Sequence, residues 1–499
     1  MGVIIRQSIK NAFITYMSIV LGALNILYIY PLSFSKDQLG IYQFVLNNAL
    51  TFYPFVMLGV NALVIRFFPD FRDDKKGHNG FLTLLLTMGV SGFLVFCILS
   101  ALFGHYVLGF YAEKSDLFTT YLPYFLPLLL LAGLEYILAT FCANFNRIAI
   151  PALFTNFLIK LSTGILALLV YWGQIDFSQF FTGVIFVHVG AVAGLLFYLY
   201  LLGQLHWSFS RPVLTAPLRK AMITYAFFGV LGSLSSMLAV KLDLFMVGTL
   251  MGLTFTAVFS IAMFIADVLD VPRRAIEGIS APIVAQAWKE NNLQEIKNIY
   301  QKSSLNQFLA GWFMLIGIWS CIDHLFAIMP NGAQYAEGKY VVLILGIGRL
   351  IDLVTGVNHI IISYSKYYKF NFYVILILGV LNVVGNLIFI PLFGINGAAM
   401  STAFSLVIYN ILKLGFIYKK FNLQPFTSNL PGVILLGVIA WGIAEIIPLT
   451  TNVWLNILIK AALITGIFTA GILKFNLSPE VSLLAQKGCD VVRQYIRKS

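Results

Sequence analysis

The sequence predicts an all-α polytopic membrane protein of about 14 transmembrane helices, built as two six-helix bundles plus a C-terminal helix pair, with both termini cytoplasmic. Three observations lead there. Of 499 residues, 60% are hydrophobic and only 10% charged, with a mean hydropathy of +0.89, against roughly 25% charged residues in soluble domains. Apolar runs of about 20 residues, each long enough to cross a bilayer, follow one another with short breaks. The basic residues gather on alternate breaks.

Taken in order, the apolar runs place helices at 12–33, 43–68, 81–103, 119–143, 150–172 and 179–203, making residues 1–205 an N-terminal six-helix bundle. The polar stretch HWSFSRPVLTAPLRK, 206–220, reads as a cytoplasmic linker. Helices at 221–250, 255–285, 305–328, 340–364, 371–392 and 397–418 make 221–420 the second bundle. Two more, near 431–448 and 454–474, fill 421–475, and 476–499 is a basic cytoplasmic tail. With the N-terminus inside, the cytoplasmic segments hold 21 Lys and Arg, while the external ones hold three: Lys36, Lys114 and Lys339. Gaining or losing one central helix would scramble that split, which is the positive-inside pattern. The six-plus-six plan predicts an internal repeat around a central cavity, supported in sequence only by LGIYQF at Leu39 and TAVFSI at Thr256.

Other classes are set aside on similar grounds. The net charge of +12 comes from single residues between apolar runs, with no aromatic-interleaved basic stripe, so nucleic acid is not an expected partner. Cys97, Cys142, Cys321 and Cys489 stand apart, without disulfide or metal-knuckle spacing. The opening MGVIIRQSIKNAF lacks a small-residue cleavage site and reads as a retained first helix. There is no nucleotide-binding loop, and no cofactor is expected. A membrane polymerase or ligase would need a sizeable external loop, and the longest one expected is 104–118, with only His105, Glu113, Lys114 and Asp116 as strongly ionisable groups.

Charges inside the spans are the candidate site. Each costs about 2.5–3.5 kcal/mol at the bilayer centre, so each needs a partner or water. Asp267, Asp270, Arg274 and Glu277 recur at spacings of three, four and three, on one helical face, with Arg273 on its flank. Local pairs of Asp270 with Arg273 or Arg274, and of Arg273 with Glu277, are open to them at these spacings. Arg349, Asp352, His359 and Ser363 repeat the pattern, while Glu135 and Lys160 add single charges to the first bundle. Lys241 and Asp243 point about 200° apart on a regular helix and so require separate partners, Glu135 being a candidate for Lys241. Arg66, Lys413 and Lys460, near expected helix ends, are read as snorkelling to the headgroups. Arginine suits phosphate, because its planar fork donates paired charge-assisted hydrogen bonds.

Three stretches resemble the oligosaccharide-lipid (O-antigen/polysaccharide) flippases of the multidrug/oligosaccharidyl-lipid/polysaccharide exporter superfamily. LGIYQFVLNNALTFYPFVMLGVNALVIRFFPDF (Leu39 to Phe71) resembles their helix 2, with its Gly-x-Tyr turn and terminal Arg-Phe-aromatic-Pro. The run from Lys241 to Ala285 resembles their helix 7–8 hairpin, and NVVGNLIFIPLFGINGAAMSTAFS (Asn382 to Ser405) their helix 11–12 turn. The resemblance implies an undecaprenyl-pyrophosphate-linked oligosaccharide moved across a prokaryotic inner membrane by alternating access, with proton or sodium antiport as the drive. It makes Arg273, Arg274, Arg349, Lys241 and Lys160 candidate headgroup contacts, and Asp243, Asp267, Asp270, Glu277, Asp352, Glu135 and His359 candidate ion-coupling groups. It also implies membrane lipids and polysaccharide assembly machinery as partners. The first helix, 12–33, carries no Asp or Glu such as multidrug members commonly have, and no paired arginine near the start marks a lipid II flippase. The alternatives are a multidrug cation exporter of the same superfamily and a membrane polysaccharide polymerase or ligase.

Overall fold

In the computed structural model, which describes residues 2–112, 115–145, 147–207, 215–240, 242–447 and 450–482, helix occupies all fourteen expected stretches, and no strand occurs among the described residues. Glu113, Lys114, Arg211, Lys241, Cys489 and the tail from 483 lie outside the described residues. Eight of the described helices are long and apolar enough to cross a hydrocarbon core, ten when each of two bent pairs counts as one span. The chain is a multi-pass membrane protein.

The N-terminal unit covers Met1–Ile261. Its first helix, α1 (Gly2–Leu24), runs on through a π turn at Asn25–Ile29 and a last turn at Tyr30–Ser33. Buried Asn25 donates from Nδ2 to the carbonyl of Lys160 (2.7 Å) at that turn, and side-chain insertions of this kind accompany π-bulges. A Ser35–Gln38 capping box starts α2 (Lys36–Val56). The expected helix 43–68 is in fact two pieces, because Leu58 (φ 51°) and Gly59 (φ 70°) break the backbone before α3 (Val60–Arg66). Only glycine fits at 59: a Cβ there would lie 2.3 Å from the Ala226 carbonyl. Next come α4 (Phe81–Ala112), α5 (Phe125–Ala143), α6 (Ile159–Tyr171), α7 (Phe177–Leu201), α8 (Ala216–Val240), α9 (Leu242–Met251) and α10 (Leu253–Asp267). Because α4 runs to Ala112 and helix resumes at Asp116, most of the expected external loop 104–118 is helical.

Packing explains why this unit extends beyond residue 205. Met222 and Ala226 of α8 join Leu63, Phe67, Phe81, Phe141 and Leu195 in one buried cluster, while Gly40 of α2 meets the Leu253 backbone so closely that a Cβ would lie 2.0 Å from its carbonyl oxygen. Small residues at such contacts let backbones approach where lipid supplies no hydrophobic drive between helices. Leu39 and Thr256 each stand three residues past the start of their helices, so the paired sequence motifs also share a structural register.

The second unit, Ala262–Ser499, holds the end of α10 followed by α11 (Asp270–Lys289), α12 (Leu293–Ile328), α13 (Lys339–Val354), α14 (Asn358–Tyr364), α15 (Lys369–Phe421), α16 (Leu430–Ile446) and α17 (Val453–Lys474). Two expected single helices are bent. α10 meets α11 at 45°, and the segment Ala336–Val354 meets α14 at 47°, where Gly356 (φ 58°) packs against Ser303 and Ser304. At 53 residues α15 would be about 80 Å long if straight, far beyond a core of about 30 Å. It is two antiparallel arms folded at Gly394 (φ 59°, ψ −139°). Ser401 bonds the Asn382 carbonyl at 2.9 Å, and Gly385 and Gly397 lie against Ser401 and Phe389 of the opposite arm.

Candidate functional site

The charges of α10, α11 and α13 converge in the second unit. Arg349 reaches Asp267 through Nη2 (2.7 Å) and Asp270 through Nη1 (3.3 Å). Arg273 lies on Asp270 (3.4 Å), Glu277 (3.2 Å) and Asp352 (3.7 Å). The local pairs expected from spacing are present, and two arginines bind four carboxylates together. Both arginine side chains are largely buried, as is Asp270, whereas Asp267 is about one-third exposed. Packing in this way satisfies charges that lipid could not tolerate singly.

The bends correct the expected faces. Counting 100° per residue across 267–277 put Arg274 inside and Arg273 on the flank. The break after Asp267 resets that count, so Arg273 turns into the network while Arg274 is exposed and has no ion pair among the described residues. Beyond the Gly356 break His359 is exposed, lies within electrostatic reach of Arg273 and Lys413, and its carbonyl accepts from Asn371 (2.9 Å).

Asn410 of α15 gave no signal in the sequence, being one uncharged polar residue in an apolar run. Its Nδ2 donates to Asp352 (3.1 Å) and to the Leu406 carbonyl (3.0 Å), and its Oδ1 accepts from Thr355 (2.8 Å) and Asn358 (2.9 Å). All four hydrogen-bonding places of the amide are therefore used. One turn on, Lys413 is fully buried rather than snorkelling. Its ammonium bonds the Tyr409 hydroxyl, lies 3.8 Å from that ring's centroid, and is within electrostatic reach of Asp352 and Glu277. Lys460 is likewise internal, held by Glu445 (3.1 Å) and the Ser320 carbonyl (3.0 Å). Both corrections have one cause: their helices continue past the expected ends or pack on neighbours, so the stem has no free path to headgroups.

In the N-terminal unit, Lys160 is half-buried and donates to the Ser18 carbonyl (3.0 Å). Glu135 is buried against His188, whose Nδ1 lies 2.7 Å from Oε1, while Lys241, for which Glu135 was a candidate partner, lies outside the described residues. Asp243 is buried in the first turn of α9. A separate apolar cavity of about 560 Å³ is walled by Phe44, Phe52, Phe96, Phe125 and Phe245, with Asn48 a polar exception.

The fold and its intramembrane charges define a helical integral membrane protein. It is similar along 94% of its length to a lipid II flippase MurJ in an inward closed conformation, at TM-score 0.72 and 14% identity, covering 98% of that chain. A multidrug resistance MATE family transporter of the MOP superfamily, inward-facing, matches at TM-score 0.62 and 13% identity over 81% of this chain and 94% of its own. In sequence, an uncharacterised membrane protein of Methanocaldococcus jannaschii, MJ1068, is 21% identical over 465 residues, covering 89% of this chain and 90% of that protein. No family model matches the sequence.

Proposed function

We propose that the protein is a flippase that moves an undecaprenyl-pyrophosphate-linked oligosaccharide across the inner membrane by alternating access, coupled to proton or sodium antiport. Fourteen crossings with both termini cytoplasmic fit the distribution of basic residues. The observation that carries the reading is the intramembrane network of Asp267, Asp270, Arg273, Glu277, Arg349 and Asp352 on a fold shared with a lipid-linked flippase and a MATE transporter. Such a cluster is costly in lipid and marks an ion or substrate path. Arg274, exposed and unpaired by any carboxylate among the described residues, is the residue best placed to bind a pyrophosphate. Arg273 and Arg349 are already neutralised and act by holding the carboxylates, among which partly exposed Asp267 is the foremost ion-coupling group. Lys160, Asp243 and His359 remain proposed contacts, and Lys241 is proposed from sequence alone.

A second reading, export of cationic drugs, draws on one observation: four carboxylates outnumber the three cations beside them, Arg273, Arg349 and Lys413, leaving an acidic excess suited to a cation. Export in cells lacking the native flippase separates the two. Arg274→Ala should abolish surface glycan while membrane abundance is kept, and Arg273→Ala/Arg274→Ala should do no better. Normal glycan export in R274A, or extrusion of a cationic dye that R274A leaves intact, would sink the flippase reading in favour of the second.

A further inference from the structure

We propose that Glu135 and His188 form a proton-binding site within the N-terminal unit, with Nε2 of His188 as the atom that gains and loses the proton. The two residues come from α5 and α7, and each is more than nine-tenths buried. With Glu135 as the carboxylate, which can only accept, Nδ1–H is the donor to Oε1 across the 2.7 Å contact. That leaves Nε2, which is buried and has no hydrogen-bond partner among the described residues. Buried polar atoms ordinarily have a hydrogen-bond partner; here one ring nitrogen is bound by the carboxylate and the other meets no partner among the described residues.

The surroundings isolate the pair. Leu131, Ala132 and Leu138 lie three or four residues from Glu135, and Val184 and Ala191 the same distance from His188, all of them buried. Other charged groups described on the elements packed against α5 and α7 are engaged elsewhere or exposed. Lys160 turns to Ser18, Asp37 accepts from Thr254, Lys36 stands at the start of α2, and Arg66 is exposed over the Phe67 ring. The remaining titratable groups there among the described side chains, including Tyr42, Tyr53, Tyr136, Cys97, Cys142, Tyr171, Tyr198 and Tyr200, are uncharged at neutral pH, and the side chain of His105 on α4 lies outside the described ones.

In the loaded form Nε2 carries a hydrogen, the imidazolium rests on the carboxylate, and the pair is neutral. Release breaks the Nε2–H bond, passes the proton to water and leaves the electron pair on Nε2. The neutral ring still donates from Nδ1, and the pair now carries one negative charge. A buried net charge is unfavourable, so release requires water at Nε2 or another cation nearby, which ties proton occupancy to conformation. Histidine is suited to this exchange because its charge changes near physiological pH. The use of the site as a coupling site rests on the transporter reading above; its existence does not.

Infrared difference titration of the full-length protein in lipid nanodiscs, with isotope-labelled histidine, reads the ring protonation over about pH 4 to pH 9. Among the six histidine rings of the chain, the expected result is one titration component that His188→Gln removes and whose proton affinity Glu135→Gln lowers by about tenfold or more. A wild-type curve unchanged by H188Q overturns the site, and so does an E135Q curve that overlays the wild type, which decides the matter even where H188Q does not fold. Normal titration in a protein that exports nothing removes the transporter reading and keeps the site. Absent titration with normal export removes the site and keeps the reading.

Discussion

Replacing Arg349 by methionine tests how the charge network is held. The Arg349 side chain is 11% exposed and serves Asp267 at 2.7 Å and Asp270 at 3.3 Å. Without it, Asp270, at 6% exposure, keeps only Arg273 at 3.4 Å, and that guanidinium is already shared with Glu277 and Asp352. Breaking a buried pair by removing one partner costs about 3–5 kcal/mol. Asp267 is exposed enough to rehydrate, so its share falls to about 1 kcal/mol or less, and the total for R349M comes to about 3 kcal/mol. Asp270→Asn alone leaves Arg349 on Asp267 and Arg273 on two carboxylates, a loss of about 1–2 kcal/mol. In the double variant the orphaned carboxylate is gone, so the expected cost is well below the sum of the singles, with a coupling of at least about 1.5 kcal/mol. Equilibrium unfolding of the four proteins in mixed micelles measures it. Additivity to within about 0.5 kcal/mol would refute the reasoning.

Four further outcomes are expected. Gly397→Ala places a Cβ 1.9 Å from the Phe389 carbonyl, so it should part the arms of α15 and lower thermal stability by about 3 kcal/mol, read by the unfolding midpoint in nanodiscs. Glu445→Gln should destabilise more than Lys460→Met: the former strands a buried ammonium, while the latter frees a carboxylate that is 43% exposed and costs about 1 kcal/mol or less. A cysteine at 274 should react with a water-soluble maleimide much faster than one at 270, given the exposure of Arg274 and the burial of Asp270; equal rates would reverse the assignment of faces. Burial opposes the charge of Glu480, but hydrogen bonds from its own backbone N–H, Lys302 and Asn306 outweigh it and set its pKa below the usual carboxylate range. A depressed carboxylate stabilises above its unfolded pKa and loses that contribution as pH falls through the folded value. Melting curves of wild type and Glu480→Gln should therefore differ at neutral pH, by about 1 kcal/mol or less for so exposed a pair, and converge below about pH 4.

What could be read from the sequence was whatever depends on near neighbours. Apolar runs fell on helix among the described residues, and spacings of three and four gave the Asp270–Arg273 and Arg273–Glu277 pairs, because both are properties of one helix. Contacts between distant segments left no trace: Asp267 meets Arg349 across 82 positions, and Glu135 meets His188 across 53. Misplaced faces had a different source. Hydropathy does not register a break such as Val268–Leu269 or Gly356, yet each break turns every later side chain, which is why Arg273 rather than Arg274 joins the carboxylates. Lys413 and Lys460 were misread because distance from an expected helix end says nothing about what packs around the stem.

The pairing within α11 also bears on how the chain enters the bilayer during synthesis. When Asp270, Arg273 and Glu277 emerge, the Arg349 that completes the network is still many tens of residues from being made. Neutralisation by a residue three or four places away lets this helix partition toward hydrocarbon without waiting, much as a solvated ion moves with its counterion. The carboxylate lacking such a local partner is Asp267, placed just before the bend, so retention of α10 at the interface until α13 arrives would make the Arg349 contact a late, locking event in assembly.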